Sequence, residues 1–176
     1  KDLNSFARVV PEEMEYVDIH DGIDSTLNLL RYELKRKAVV RKDYSQLPKI
    51  RCNLSRLTQV FLNILLNACQ AIDEKGEIKI ETSNGGKQVT IAISDSGSGI
   101  EQDDLKHIFE PFFTRKKRGE GMGLGLSTAL GIVRNHAGDI KVESELQKGS
   151  RFIISLPLDG AARKSEGQMA VGDRVV

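Results

Sequence analysis

The segment from about Leu54 to Asp73 leaves this chain few ways to fold. At about 100° per residue, Leu57, Val60, Phe61, Leu62, Ile64, Leu65, Leu66, Ala68, Cys69 and Ile72 cover most of a helix circumference, whereas Arg56, Gln59, Asn63, Asn67, Gln70 and Asp73 fall within about 120°. A helix that is apolar on nearly every side sits deep in a core. Its single polar stripe then either faces bulk water or meets partners of its own. Carboxamides one turn apart present several donors and acceptors to one bound object, and an amide oxygen is a hard ligand for Mg²⁺.

The flanking sequence supplies layers for such a helix to pack against. Residues 1–14 read as the end of a helix, stopping near Pro11, and an acidic linker; residues 15–158 form the domain; residues 159–176 are a small, polar tail or connector, expected to be mobile. Asp21 or Asp24 is expected to cap a helix carrying Ile23, Leu27, Leu30 and Leu34, and Ala38 to Tyr44 has strand composition up to the break at Leu47-Pro48. Glu77 to Thr82 and Val89 to Ser94 alternate apolar and polar residues around Asn84-Gly85-Gly86, which is a hairpin signal. A helix from about Gly123 to His136 and a strand pair, Asp139 to Ser144 with Arg151 to Leu156, complete the pattern.

Charge and cysteine content narrow the function classes. With 26 basic and 25 acidic residues the net charge is +1, so no global field draws the chain to nucleic acid or to an anionic membrane. No run approaches the roughly 18 apolar residues of a membrane span, and the lysine start without a signal-like segment reads as a fragment. Cys52 and Cys69 lack the close pairing of a zinc site and read as buried, reduced thiols.

Two glycine clusters point to backbone that approaches a ligand closely. Asp95 to Ile100 reads DSGSGI and Gly119 to Ser127 reads GEGMGLGLS; bare N–H groups are the best uncharged partners of a polyphosphate. Asp95 ends an alternating strand, where its carboxylate either accepts an exocyclic amino hydrogen of adenine or stabilises the glycine turn as an Asx residue. Gly97 and Gly99 would let a base lie against main chain. IFEPFFT, from Ile108 to Thr114, sets three aromatic side chains around Pro111 and leads into Arg115-Lys116-Lys117-Arg118. That basic run is a solvated loop, a nucleic-acid patch, or a cationic loop hinged on glycines that closes over phosphates. Gly121, Gly123 and Gly125 open a helix whose first amides favour anions. Neither a dinucleotide fingerprint nor a P-loop fits this spacing.

Taken together, LTQVFLNILLNACQAI, DSGSGI, IFEPFFT, GEGMGLGLS and KGSRFIISLP resemble, in order and at suitable spacing, the five sequence boxes of sensor histidine kinases, over roughly residues 16 to 157. The resemblance implies an α+β, two-layer sandwich: a mixed sheet of about five strands covered on one face by three helices, the ATP-binding (Bergerat) fold shared with type II topoisomerases, mismatch-repair ATPases and heat-shock chaperones. DLNSFARV is similar to the end of that family's dimerisation and phosphoacceptor helix.

Residue by residue, the resemblance implies that Asn67 meets Mg²⁺ between the phosphates and that Asn63 is its companion one turn earlier. Asp95 is similar to the adenine-reading carboxylate, with Gly97, Gly99 and Ile100 around the base. Thr114 to Gly121 resembles the ATP lid, in which Lys116 is the expected phosphate contact and Gly119 a hinge. Gly121, Gly123, Leu124, Gly125 and Leu126 would supply main-chain contacts, and Ser150 a hydroxyl beside the base. Gln70 stands where many members carry a cation, and Met122 where threonine or serine is frequent.

The implied activity is transfer of the γ-phosphoryl of ATP to a histidine on a separate phosphoacceptor domain of the same dimer, and onward to a response-regulator aspartate. Asn63, Asn67 and Lys116 are the expected catalytic set. The implied setting is cytoplasmic, with no membrane contact by this fragment. Hydrolysing relatives place a glutamate where this chain has Asn63, and a neutral amide cannot take a proton from water. The alternatives are a conformational nucleotide-binding module without kinase activity and a water-directed ATPase. His20-Asp21 superficially resembles the acceptor motif, but it opens the nucleotide domain; His107 and His136 read as structural.

Overall fold

The computed structural model describes residues 13–115 and 121–159. The expected helix before Pro11, Lys116, Gly119 and the tail beyond Asp159 lie outside the described residues. In chain order the elements are β1 (Glu15–Val17), α1 (Ile19–Leu29), α2 (Arg31–Lys37), β2 (Ala38–Tyr44), β3 (Ile50–Cys52), α3 (Leu54–Ala71), β4 (Gly76–Asn84), β5 (Gln88–Asp95), a 3₁₀ turn (Asp104–Lys106), α4 (Gly125–Asn135), β6 (Asp139–Glu145) and β7 (Gly149–Pro157).

Five strands form a mixed sheet in the order β2-β4-β5-β7-β6. Only β2 and β4 run parallel; the other neighbours are antiparallel. Period-two alternation sends Ile78, Ile80, Ile91, Ile93, Phe152 and Ile154 to one face, where they meet the helices in a single core. On the opposite face the Glu81 carboxylate takes Lys79 and Arg151, each at 2.7 Å. This face is polar because nothing covers it within the described residues.

Helix α3 runs through the middle of the helical layer. The Asn53 side chain caps it by accepting from the Arg56 amide at 2.9 Å, and Leu57, Val60, Phe61, Ile64, Leu65, Ala68 and Cys69 are buried, as the apolar arc requires. The same end is also held from α4. His136 is buried, donates Nδ1–H to the Ile132 carbonyl at 2.8 Å, and accepts the Asn53 amide on Nε2 at 3.0 Å. This histidine thus joins two helix ends from inside the core, the C-cap of α4 and the N-cap of α3, in keeping with its structural reading.

The helix expected from Asp21 or Asp24 to Leu34 is two helices. Leu30 (φ −90°, ψ 7°) breaks the path, and the N-cap is Asp18, whose side chain accepts from the His20 amide. Asp24 instead receives Tyr44 Oη–H at 2.8 Å and Lys42 Nζ at 3.0 Å. The His20 ring stacks on Tyr44 with centroids 4.4 Å apart and meets Thr82 Oγ1 at 3.0 Å, which makes it part of this packing. The pairing of β1 with β3 was not foreseen, because three-residue strands are too short to show a period.

Candidate functional site

Where α3 passes the ends of β5 and β7, the fold leaves a cavity of about 700 Å³. Its walls come from α3, the turn after β5, the segment 100–115 and the approach to α4. From α3 the polar stripe supplies Asn63, Asn67 and Gln70, with Leu66 as an apolar neighbour. The stripe therefore has a cleft of its own. Asn63 donates Nδ2–H to the Gly125 carbonyl at 2.9 Å, which fixes the start of α4 against the middle of α3.

At the opposite wall, Asp95 closes β5. Its residue is 9% exposed, its Oδ1 accepts the Gly97 amide at 2.8 Å, and its register partner on β7 is Ser150. Burial pushes its carboxyl above the usual carboxylate range, and backbone bonds from Gly97 and Ser150 oppose the shift without cancelling it. Asp95 makes the Asx contact and also lines the cavity.

Gly99, Ile100 and Ser150 line the same end. Gly97 does not. A Cβ there would stand 2.5 Å from the Ala71 carbonyl oxygen, so this glycine lets the turn lie on the C-terminal end of α3. At Gly99 the obstruction is likewise protein, the main chain of Glu145. Ser144, which the sequence did not single out, organises the corner: its hydroxyl accepts from Ile100 N at 2.9 Å, donates to the Gly149 carbonyl at 2.9 Å and lies 3.0 Å from Ser150 Oγ. The ladder register puts Ser144 directly opposite Ser150, a pairing that no local pattern announces.

Thr114 and Arg115 lead into the rim from one side; Gly121, Met122, Gly123, Leu124, Gly125 and Leu126 form it on the other. Gly123 has φ +66°, and a Cβ on it would meet the Phe112 main chain at 2.5 Å, so it is outside the helix expected to start there; α4 begins two residues later. No side chain caps α4, which leaves first-turn amides for an anion. The three aromatics near Pro111 do not act as one cluster. Phe109 and Phe113 pack on the core, whereas Phe112 is 73% exposed and its amide bonds the Gly123 carbonyl at 2.9 Å. Asp104, which the sequence did not single out, forms an ion pair with Arg115 of the basic run on the cavity wall.

The described residues contain no group of three or more histidine, cysteine, aspartate or glutamate side chains that could hold a metal. The cavity instead offers three amide side chains from one helix, a donor set suited to a hard cation that brings most of its own ligands as water or phosphate. No helix among the described residues is long and apolar enough to cross a membrane.

The family described as histidine kinase-, DNA gyrase B-, and HSP90-like ATPase matches residues 52–160. Sensor histidine kinase ZraS of Escherichia coli K12 is 37% identical over 179 residues, covering 95% of this chain and 38% of ZraS. AtoS, a signal transduction histidine-protein kinase of the same strain, is 36% identical over 160 residues, covering 89% of the chain and 26% of AtoS. The chain thus spans well under half of these relatives. The catalytic domain of histidine kinase ThkA superposes with a TM-score of 0.76 at 28% identity, over 84% of this chain and 97% of that one.

Proposed function

We propose, because the chain belongs to the family of histidine kinase-, DNA gyrase B- and HSP90-like ATPases, that it is the ATP-binding catalytic domain of a two-component sensor histidine kinase. One observation carries the site assignment: Asn67, on a helix, and Asp95, at a strand end, line a single cavity. In this reading the ionised Asp95 accepts a hydrogen from the adenine amino group, Gly99, Ile100 and Ser150 flank the base, and Gly121 to Leu126 cradle the phosphates. Asn67 holds Mg²⁺ through its amide oxygen, with Asn63 and Gln70 beside it; when bound, the metal neutralises phosphate charge. Lys116 and Gly119 keep their proposed lid roles, outside the described residues.

The chemistry assigned to the full protein is phosphoryl transfer to histidine. An imidazole nitrogen of a separate phosphoacceptor domain forms a bond to the γ-phosphorus, the bond to the β–γ bridging oxygen breaks, and ADP leaves. Asn63 has no carboxylate to activate water, and its amide already serves the Gly125 carbonyl, which supports transfer over hydrolysis. A receiver domain is the proposed next acceptor; the likeness to ThkA, solved in complex with the response regulator TrrA, supports that partner. The compartment proposed for this reaction is the cytoplasm, where ATP is available.

The test is reconstitution. This chain, ATP, Mg²⁺ and a phosphoacceptor domain supplied in trans should yield acid-labile phosphohistidine, with little phosphate released by the chain alone. Tight nucleotide binding without transfer to any acceptor would instead identify a conformational module, and rapid phosphate release an ATPase.

A further inference from the structure

Among the described residues lining the cavity, Arg115 is the one cation, facing a wall that also carries Asp95, Glu101 and Asp104. A triphosphate entering such a site meets more negative charge than positive unless the carboxylates are answered. Asp104 is answered closely. Arg115 Nε–H is shared between its two carboxylate oxygens at 3.1 and 3.0 Å, and Nη2–H donates to Oδ1 at 2.6 Å. The Asp104 side chain is 10% exposed and that of Arg115 is 72% exposed. Main-chain bonds from His107 and Ile108 to the Asp104 carbonyl hold the turn that presents the carboxylate.

The orientation of this pair has a chemical consequence. A guanidinium carries five N–H groups in a rigid plane, and the bonds to Asp104 engage Nε–H and one Nη2–H. They use one side of the plane. The remaining fork, made by Nη1 and the second Nη2 hydrogen, has the spacing of two phosphate oxygens. Asp104 and Glu101 also strengthen the hold of Arg115 on its proton, so the fork stays cationic.

We propose that Arg115 binds the polyphosphate of the nucleotide and that Asp104 is the positioning residue that presents its guanidinium. The inference rests on the nucleotide reading of the cavity and adds to it a specific contact for Arg115 and a role for Asp104. Arg115 alone, on a long exposed stem, would lose rotamer freedom on meeting a phosphate; pairing with a sunken carboxylate settles that orientation beforehand. Competition is the opposing account, in which Asp104 withholds Arg115 from phosphate. The two accounts predict opposite signs for removal of the Asp104 charge.

Calorimetric titration of the full chain with ATP and with adenosine distinguishes them. Arg115→Ala should weaken ATP by about tenfold or more, near the 1.4 kcal/mol that a tenfold change represents, and leave adenosine affinity unchanged. Arg115→Lys should recover only part, because an ammonium cannot serve carboxylate and phosphate in one plane. Asp104→Asn should weaken ATP in the same direction, again sparing adenosine, and Asp104→Glu should restore part of the loss. Retained adenosine binding shows that each variant is folded. Equal ATP affinity in wild type and Arg115→Ala, or tighter ATP binding by Asp104→Asn, overturns the proposal while leaving the nucleotide site standing. A wild-type chain that binds no ATP overturns both.

Discussion

The Asn63 side chain reaches across from the middle of α3 to bond the carbonyl of Gly125, the first residue of α4, at 2.9 Å. Both residues line the cavity, so one amide ties the helix that carries the polar stripe to the helix whose first turn faces the proposed phosphates. Asn63→Ala should lower stability by about 1 kcal/mol, the usual worth of such a bond, and weaken ATP because α4 loses its anchor. Asn63→Asp should be worse, since a carboxylate oxygen would face a carbonyl oxygen. Urea unfolding and ATP titration read the two effects; a folded Asn63→Ala protein with native ATP affinity would refute the anchoring role.

Asp95 is expected to trade stability for recognition. Asp95→Asn should abolish adenine nucleotide binding while the apo protein becomes as stable as wild type or more so, because a buried charge is removed while an oxygen remains for the Gly97 amide. Its folded-state carboxyl is raised, so the native protein holds this proton more firmly than the unfolded chain does. The burial penalty on Asp95 is absent below the unfolded carboxyl value and grows as pH rises through the folded one. Any stability advantage of Asp95→Asn should therefore be largest near neutrality and shrink on acidification. Thermal melts of both proteins over that range check the sign.

Removing the proposed metal ligand should uncouple Mg²⁺ from nucleotide affinity. Wild type is expected to bind ATP more tightly with Mg²⁺ than with a chelator, and Asn67→Ala to show little difference between the two. A full metal effect surviving in Asn67→Ala would assign the ligand elsewhere.

His136 is predicted to matter for folding and not for chemistry. It is 3% exposed and serves both the Asn53 amide and the Ile132 carbonyl, so His136→Ala opens a cavity and strands a donor. The expected loss is about 3 kcal/mol of unfolding free energy. Denaturant titration should show a lower midpoint, and saturating nucleotide should raise it again.

Neither thiol should react quickly in the native state. Burial pushes the Cys52 thiol up to about 11 and raises that of Cys69, leaving little thiolate near pH 8. A disulfide reagent should therefore modify both only on unfolding; a fast native phase at pH 8 would contradict this.

What is legible in the sequence is mostly local. The arc on α3 fixed its burial, and alternation with Asn84-Gly85-Gly86 located the hairpin of β4 and β5. These signals recur within a few residues, so they survive without tertiary context. The pairing of Asp104 with Arg115, of Ser144 with Ser150 and of β1 with β3 depends on chain segments brought together by the fold, and no period records them. The break at Leu30 lies between two helical stretches without a proline or glycine to mark it. Gly97 was assigned to a ligand on the strength of its residue type, whereas its lack of a side chain is required by the main chain of Ala71. A glycine in sequence says that something is close and does not say what.

The turn after Asp95 lies hard against other main chain at Gly97 and Gly99, whereas the cavity-lining Met122 (78% exposed) and Leu146 (51% exposed) stand open. A side chain added at Gly97 or Gly99 would collide with the main chain of Ala71 or Glu145, so neither position can be used to reshape that end. On the proposed nucleotide reading, altered base preference would be sought at Asp95, and selective ligands in groups that reach outward to the methionine and the leucine.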